Sequence, residues 1–283
     1  MGGDNLSSKN YVRELLTSHG LHPKKHFGQN FLTDSHVLSK IIDGADLSPD
    51  DTVVEVGPGL GVLTTQLAKK ADRVIAVEID HQLAEILQST MPTNVEIIRG
   101  DILKLDLAGM GVARPDYAHI KVVANLPYYI TSAVIFGLLE QALPIKTMVV
   151  MVQKEVADRF LAHPGTKAYG LPSLSLAYYG KASLVANVPP HCFFPRPDVH
   201  SAVIKLDISP RGDINPVTFF PLIRAAFANR RKTLQNCLAA STELTLTKED
   251  AGALLTSAGL NPNVRGEALG LDDFAKLSNL LQA

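Results

Sequence analysis

The hydrophobic positions between residues 35 and 162 alternate between two spacings. Short apolar, β-branched runs are typical of buried parallel strands, whereas apolar residues three and four positions apart predict amphipathic helices. The predicted strands are residues 52–56, 73–77, 95–99, 121–124 and 147–152. The predicted helices are residues 35–44, 62–70, 81–91, 132–141 and 155–162. Strands that alternate with such helices predict βαβ units and a mostly parallel α/β sheet.

The pattern changes near residue 180. Two strand-like runs, 182–188 and 201–206, are joined by a proline-rich linker without a helix. They predict an antiparallel pair at one edge of the sheet, a common addition to parallel sheets. The remaining sequence has only helical spacing, at residues 219–240, 248–259 and 271–281. We therefore predict an N-terminal extension over 1–21, an α/β domain over 22–207 and a small all-helical domain over 208–283.

Composition narrows the class of protein. With 283 residues and 46% hydrophobic residues, the chain can bury a sizeable core and is not of the disordered class. The two cysteines, Cys192 and Cys237, cannot form a disulfide framework or a zinc site by themselves, so no metal is expected. Neither a signal peptide nor an apolar run of membrane-spanning length is present in this sequence. These features predict a cytoplasmic protein without membrane contact.

Charge is balanced overall but unevenly placed. The formal net charge of −1 argues against a general nucleic-acid binder, which usually has a basic footprint. Two basic clusters stand out. Their members are Lys24, Lys25, Arg224, Arg230, Arg231 and Lys232. Each cluster is either a solvated helix face or a patch that a folded substrate approaches from one side.

The segment Asn125-Leu126-Pro127-Tyr128 directly follows the fourth predicted strand. Functional residues of open α/β sheets lie just past the carboxyl ends of such strands. The Asn125 carboxamide oxygen, the carbonyls held by the turn and the Tyr128 ring together suit the exocyclic amine of a purine. An ordinary Asn-x-Pro turn is the alternative interpretation.

A glycine-rich loop joins the first strand to its helix. Gly57, Gly59 and Gly61 have the spacing G-x-G-x-G, and Val62 stands where the dinucleotide-binding motif requires glycine. The loop also lacks the Gly-Lys-Ser/Thr of a P-loop. NAD and ATP are both disfavoured as ligands.

Acidic residues follow the next two strands. Glu78 stands where an acid can bind the hydroxyls of a ribose, and Asp101 can accept from an adenine amine while Ile102 packs on the ring. Glu55 is expected to accept from the cofactor's amino group or from a water bound to it. The series describes an adenosine-containing cofactor without a pyrophosphate, which S-adenosylmethionine (SAM) fits best. For Glu78 alone, an acid at a helix N-terminus is the alternative.

In this order, these motifs resemble those of the rRNA adenine N6,N6-dimethyltransferase family. The resemblance spans roughly residues 22–283 and is carried by 26–32 (HFGQNFL), 55–61 (EVGPGLG), 78–80 (EID), 100–102 (GDI), 125–128 (NLPY), 193–199 (FFPRPDV) and 227–234 (FANRRKTL). It implies a class I SAM-dependent methyltransferase fold, Rossmann-like, with a helical rRNA-binding domain. Tyr129 stands where many relatives carry asparagine.

The resemblance also implies roles for individual residues. Gln29, Asn30 and Leu32 would close over the methionine end of SAM, Gly57 and Gly59 would contact the cofactor, Glu78 would hold its ribose and Asp101 its adenine amine. Asn125, Leu126 and Tyr128 would hold the target adenine, with Phe193 stacking on its other face. The implied substrate is a pair of adjacent adenines near the 3′ end of small-subunit rRNA, each methylated twice, in a pre-30S or 30S-like particle. We expect a monomer.

Two rival functions remain open from the sequence. The chain could methylate large-subunit rRNA, as the related antibiotic-resistance enzymes do, or it could be a non-catalytic RNA-binding assembly factor. A small-molecule methyltransferase would leave the basic cluster of the helical domain unexplained.

Overall fold

The computed structural model describes residues 8–24, 27–113, 120–141 and 143–281, which form two compact units. The first unit runs to Ala157 and resumes over Ser183–Ile208, and the second comprises Asp158–Ala182 and continues from Ser209. The chain therefore enters the second unit for the last time close to the predicted boundary at 207. The structure groups residues 158–182, which were predicted to lie in the first domain, with the second unit.

The strands and helices are as follows. The strands are β1 Phe31–Leu32, β2 Thr52–Val56, β3 Arg73–Glu78, β4 Val95–Arg99, β5 Ile120–Asn125, β6 Ile145–Gln153, β7 Gly180–Val188, β8 Phe193–Phe194 and β9 Ser201–Ile208. The helices are α1 Lys9–Ser18, α2 Ser35–Ala45, α3 Val62–Ala68, α4 His81–Thr90, α5 Thr131–Glu140, α6 Lys154–Phe160, α7 Leu171–Tyr179, α8 Pro216–Phe227, α9 Leu234–Ala239, α10 Lys248–Ser257 and α11 Leu271–Leu280. None of the helices in the described ranges is long and apolar enough to cross a bilayer.

The main sheet has seven strands in the order β4-β3-β2-β5-β6-β9-β7. Strands β4, β3, β2, β5 and β6 are parallel, and β9 pairs antiparallel with β6. The chain winds outward from β2 in one direction through β3 and β4, and in the other through β5 and β6. The carboxyl ends of β2 and β5 thus meet at the point where the strand order reverses, where open α/β sheets bind their ligands.

Helix α1 packs onto the first unit, and its segment was predicted only as part of an N-terminal extension. Ser8 caps the helix by accepting a hydrogen bond from the Tyr11 backbone N–H at 3.1 Å. Val12 and Leu16 are buried in a cluster that also contains Phe31, Leu60 and Leu83. Burying one apolar stripe anchors the helix, since a short helix in isolation is marginal.

The second unit is helical around an aromatic core. The rings of Tyr178 and Phe219 stack with centroids 5.4 Å apart, and Phe274 is fully buried. Helix α7 was missed from the sequence because its buried residues include Ser173 and Ser175 beside the apolar ones, so that it has no clear helical pattern of apolar and polar positions. The single helix predicted over 219–240 is two helices, α8 and α9, separated by the basic segment 228–233.

Candidate functional site

A cleft in the first unit opens at the carboxyl ends of β2 and β5. Its empty space, including the open mouth, is about 860 Å³, which is within the usual range for small-molecule sites. Its walls contain these predicted site residues: Gln29, Asn30, Leu32, Glu55, Gly57, Gly59, Glu78, Asn125, Leu126 and Tyr128. The wall also contains residues that were not predicted individually, among them Phe27, Gly28, Ile79 and Pro127. Phe27 and Gly28 belong to the motif at residues 26–32, from which their place in the cleft wall could have been predicted.

The glycine loop lines the cleft with main-chain atoms and without side chains at Gly57 and Gly59. Gly57 and Gly59 have φ values of 68° and 60°, a left-handed conformation that favours glycine. A Cβ atom on Gly59 would lie 3.1 Å from Cε1 of Phe31. A side chain is thus excluded where a ligand can approach the main chain.

Glu78 is held rigidly at the end of β3. Its Oε2 accepts from the Gly59 N–H at 3.1 Å, and its Oε1 accepts from the Asp80 N–H at 2.8 Å. Burial raises the pKa of Glu78, while these backbone hydrogen bonds oppose the rise. Each carboxylate oxygen retains acceptor capacity for a ligand hydroxyl.

Glu55 is the most buried acid of the cleft, with 1% exposure. Neither its Oε2 nor Oγ1 of Thr64 has a hydrogen-bond partner among the described residues. Burial raises the pKa of Glu55 to about 8; the nearby Thr64 hydroxyl opposes the rise and the charge of Glu78 adds to it. A buried unpaired carboxyl oxygen is costly and therefore marks a place for a donor group from a ligand or water.

The turn after β5 presents two acceptors. Asn125 Nδ2 donates to the Asn30 carbonyl at 3.0 Å, which leaves Oδ1 as the atom that can accept. The carbonyls of Pro127 and Tyr128 accept from Thr131 Oγ1 at 3.2 and 3.3 Å. The Leu126 carbonyl accepts no backbone hydrogen bond from the described residues, so it too can receive a ligand amine.

Tyr128 is positioned by the hydroxyl of a residue far away in the sequence. Its Oη lies 2.7 Å from Oγ of Ser201 in a hydrogen bond that fixes the ring at the cleft wall. Burial raises the pKa of Tyr128, so the phenol is neutral at physiological pH. Ser201 was not predicted, since nothing in the spacing of the sequence links it to residue 128.

The segment before β1 is tied to the cleft by Asp80. Lys24 Nζ lies 2.8 Å from Asp80 Oδ1, and Gln29 Nε2 donates to Oδ2 at 3.0 Å. Gln29 Oε1 in turn accepts from the Lys24 N–H at 2.8 Å. Burial alone would raise the pKa of Asp80, but these hydrogen bonds outweigh it and hold the pKa below its usual range. Lys24, predicted to contact RNA, is therefore engaged within the site.

Comparison with known proteins decides the family. The family profile described as ribosomal RNA adenine dimethylase matches residues 20–283. The chain belongs to the ribosomal RNA adenine dimethylase family. This membership confirms the predictions of a class I methyltransferase fold, of SAM as the cofactor and of an enzyme that methylates rRNA adenines.

Individual relatives cover nearly the whole chain. The "Ribosomal RNA small subunit methyltransferase A" of Lachnoclostridium phytofermentans is 48% identical over 274 residues, which are 95% of this chain and 94% of the relative. The protein of the same name from Bacillus thuringiensis is 42% identical over 283 residues, with 98% and 97% coverage.

Solved structures share the fold. A dimethyladenosine transferase from Plasmodium falciparum has a TM-score of 0.72 at 27% identity, over 89% of this chain and 97% of its own. The 23S rRNA methyltransferase ErmE has a TM-score of 0.68 at 26% identity, over 90% of this chain and all of its own.

Phe193 does not line the cleft, contrary to the stacking role that the resemblance implies. It is 1% exposed and packs in the core cluster with Leu32, Leu38 and Cys192. Its strand β8 pairs with β1, so that Phe193 lies opposite Leu32. The flanking prolines suggested a loop that could not enter a core, but this short pairing turns the ring inward.

Asp101 and Ile102 follow β4 next to the carboxyl end of β3. The Gly100 N–H donates to the Glu78 carbonyl at 2.9 Å, which places the segment beside Glu78. Asp101 Oδ1 accepts from the Leu103 N–H at 3.1 Å, and Ile102 is buried. Neither residue lines the cleft. Their contact with the adenine of the cofactor stays a prediction.

The predicted RNA-binding cations divide into paired and unpaired residues. Arg224 pairs with Glu243 at 2.5 Å, and Arg230 pairs with Glu267 at 2.9 Å. Within the described part of the chain, Arg231 and Lys232 form no ion pair. Lys25 lies outside the described residues.

One cluster of metal-ligand type lies where the turn before β8 meets the N-terminus of α2, and none of its residues lines the cleft. Ligand atoms of Asp34, His191 and Cys192 lie within 4.8 Å of one another. Asp34 caps α2 through Oδ1, which accepts from the Val37 N–H at 2.9 Å, and its Oδ2 accepts from Cys192 Sγ at 3.4 Å. Burial and Asp34 raise the pKa of Cys192 to about 11, so the thiol is protonated and serves this cap.

Proposed function

We propose that this chain transfers methyl groups from SAM to N6 of two adjacent adenines near the 3′ end of small-subunit rRNA, and that each adenine is methylated twice. One observation carries the proposal. The free acceptors of the Asn125–Leu126 turn open into the same cleft as the buried acids Glu55 and Glu78. The full-length relatives named for the small subunit favour this substrate over large-subunit rRNA.

The cleft residues fit the cofactor. The unpartnered Glu55 Oε2 suits a cationic or N–H donor, the bare backbone at Gly57 and Gly59 admits a flat ligand, and Glu78 keeps acceptors for ribose hydroxyls. The remaining cofactor contacts are proposed at Gln29, Asn30, Leu32, Asp101 and Ile102. When bound, SAM supplies an electrophilic methyl group on a sulfonium.

The chain's own contribution is to hold and polarise the target amine. The adenine must leave its stack to reach the cleft, as enzymes that modify bases require. The Tyr128 ring offers a stacking face. Asn125 Oδ1 and the Leu126 carbonyl accept from the two N6 hydrogens before the first transfer, and one of them accepts from the remaining hydrogen before the second. These acceptors favour a pyramidal N6 whose lone pair is available for attack, a form of electrostatic preorganisation. The proton that N6 sheds afterwards can pass to water, so no strong base is required.

Removal of the ribose acid tests the cofactor assignment. We expect Glu78→Ala to weaken SAM binding by about 10–100-fold, because hydrogen bonds to a charged group contribute ~1.5–3 kcal/mol each. Isothermal titration with SAM measures the loss. Glu85→Ala on the exposed face of α4 is the matched control and should bind SAM as the wild type does. Unchanged affinity in Glu78→Ala would remove this residue from the site.

The unpaired cations of the second unit test the RNA assignment. We expect Arg231→Ala and Lys232→Ala each to weaken binding of small subunits and to reduce the salt dependence of log K by about one, as for loss of a phosphate contact. Filter binding over a series of salt concentrations measures both quantities, and SAM affinity should not change. Lys70→Ala, an exposed lysine of the first unit, is the control. A salt slope identical to that of the wild type would contradict the assignment.

Methyl transfer from labelled SAM to purified unmethylated ribosomal subunits tests the function as a whole. Label in small-subunit rRNA supports the proposal, and label in large-subunit rRNA supports the antibiotic-resistance type of activity instead. Tight binding without label supports a non-catalytic assembly factor. We further propose that the substrate is a pre-30S or 30S-like particle and that the enzyme acts as a cytoplasmic monomer. Comparison of particles with naked rRNA, and sedimentation of the active enzyme, test these points.

A further inference from the structure

Tyr129 is an exposed aromatic residue at the rim of the cleft. It is 60% exposed, although it directly follows the partly buried turn that ends at Tyr128. A Cβ atom built on Gly28 would lie 3.5 Å from Cδ1 and Cε1 of the Tyr129 ring and 3.6 Å from Cβ of Pro127. Gly28 and Pro127 both line the cleft, so the ring stands where the cleft meets the surface.

Among the described residues, the Tyr129 hydroxyl forms no hydrogen bond and its ring contacts no other aromatic ring. Tyr128 differs, because its hydroxyl is held by Ser201. Because Gly28 has no side chain, the space beside the ring stays open, and with φ of 64° Gly28 is in a conformation that favours glycine. An aromatic ring that is 60% exposed and makes neither a hydrogen bond nor a ring contact within the described residues has no core-packing role to explain it.

The chemistry of the proposed substrate supplies an occupant. When one nucleotide of a single strand is inserted into the cleft, the next base remains at the rim and loses its stacking neighbour. Single-stranded bases regain that energy on exposed aromatic rings, at ~1–3 kcal/mol per base. Since Phe193 is buried, it does not offer such a surface in this structure.

We propose that the ring of Tyr129 is a stacking subsite for the base next to the extruded adenine, which in a substrate of two adjacent adenines is the other adenine. The inference rests on the proposed function and adds a binding site for a purine base outside the cleft. Tyr129 acts here as a positioning residue: it holds the RNA strand in register while Asn125 and Leu126 hold the reacting amine.

Steady-state methylation of small subunits tests the subsite. We expect Tyr129→Ala to raise KM for the subunit by about 5–100-fold, which corresponds to the loss of one stacked base. The kcat and the SAM dissociation constant should stay close to the wild-type values. Tyr129→Phe keeps the ring and should retain the wild-type KM. Met110→Ala, which removes another exposed apolar side chain (50% exposed) of the first unit outside the cleft wall, is the matched control.

A fluorescence measurement separates stacking from a general effect on the fold. The probe is a short single-stranded RNA with two adjacent adenines, of which one is replaced by 2-aminopurine, whose emission falls on stacking. Wild type and Tyr129→Phe should quench the probe, and Tyr129→Ala should not. The subsite is overturned if Tyr129→Ala has the wild-type KM, or if Tyr129→Phe raises KM as much as Tyr129→Ala does. In either case, methylation by the wild type leaves the proposed function standing. Absence of methyl transfer by the wild type overturns both.

Discussion

Replacement of Asn125 by alanine is expected to lower the turnover of rRNA methylation by about 10²-fold or more. This is the usual cost of losing one preorganised polar partner of a reacting group. Asn125 is the last residue of β5 and lies at the edge of the cleft. Its Nδ2 donates a hydrogen bond to the Asn30 carbonyl, so this contact within the protein orients Oδ1. Single-turnover methyl transfer on small subunits measures the loss.

The control for this variant is Tyr128→Phe, which removes the hydroxyl bonded to Ser201 but keeps the stacking ring. We expect the turnover of Tyr128→Phe to fall by less than about 5-fold, because an ordinary hydrogen bond contributes ~1 kcal/mol. SAM affinity is measured for both variants. Turnover like that of the wild type in Asn125→Ala would refute the role of the carboxamide. If SAM affinity falls as much as turnover does, the main role of Asn125 would instead be to hold the segment around Asn30 in place.

The parts of the fold that could be predicted from sequence are those in which local pattern and burial agree. Strand β2 is buried along its whole length and reads as a short β-branched run, so it has the predicted bounds. The edge strand β4 is partly exposed and also has the predicted bounds. Glu55, Glu78 and Asn125 could be placed for the same reason. Each lies at the carboxyl end of such a strand, and parallel strands bring those ends together.

The parts that sequence could not supply depend on contacts between distant segments. The burial of Phe193 requires β8 to pair with β1, more than 150 residues earlier in the chain, and two-residue strands leave no periodic signal. The hydrogen bond between Tyr128 and Ser201 and the tie of Lys24 to Asp80 are equally non-local. Helix α7 belongs to the second unit although the chain returns to the first after it, and no local pattern reports such a crossing.

Replacement of Glu55 by glutamine is expected to stabilise the ligand-free protein at alkaline pH. Burial raises the pKa of Glu55 to about 8 from its ordinary value of 4.5. Folding therefore binds a proton between these two pH values, and the free energy of unfolding falls as pH rises through that range. Above pH 8 the carboxylate is charged in the folded state, at a cost of ~3–5 kcal/mol relative to acidic pH, since one pKa unit corresponds to ~1.4 kcal/mol. Glutamine resembles the protonated acid and does not ionise.

Urea unfolding of the ligand-free protein at pH 5, 7 and 9 measures this effect. The stability of Glu55→Gln should be close to that of the wild type near pH 5 and should exceed it increasingly towards pH 9. Glu14→Gln on the exposed side of α1 is the control, because an exposed glutamate loses little solvation on folding and should give no such divergence. If the free energies of unfolding of Glu55→Gln and the wild type differ by the same amount from pH 5 to pH 9, the Glu55 carboxyl does not lose its solvation on folding. Its oxygen would then need no ligand donor, and the reason to place a cationic ligand group beside it would be lost.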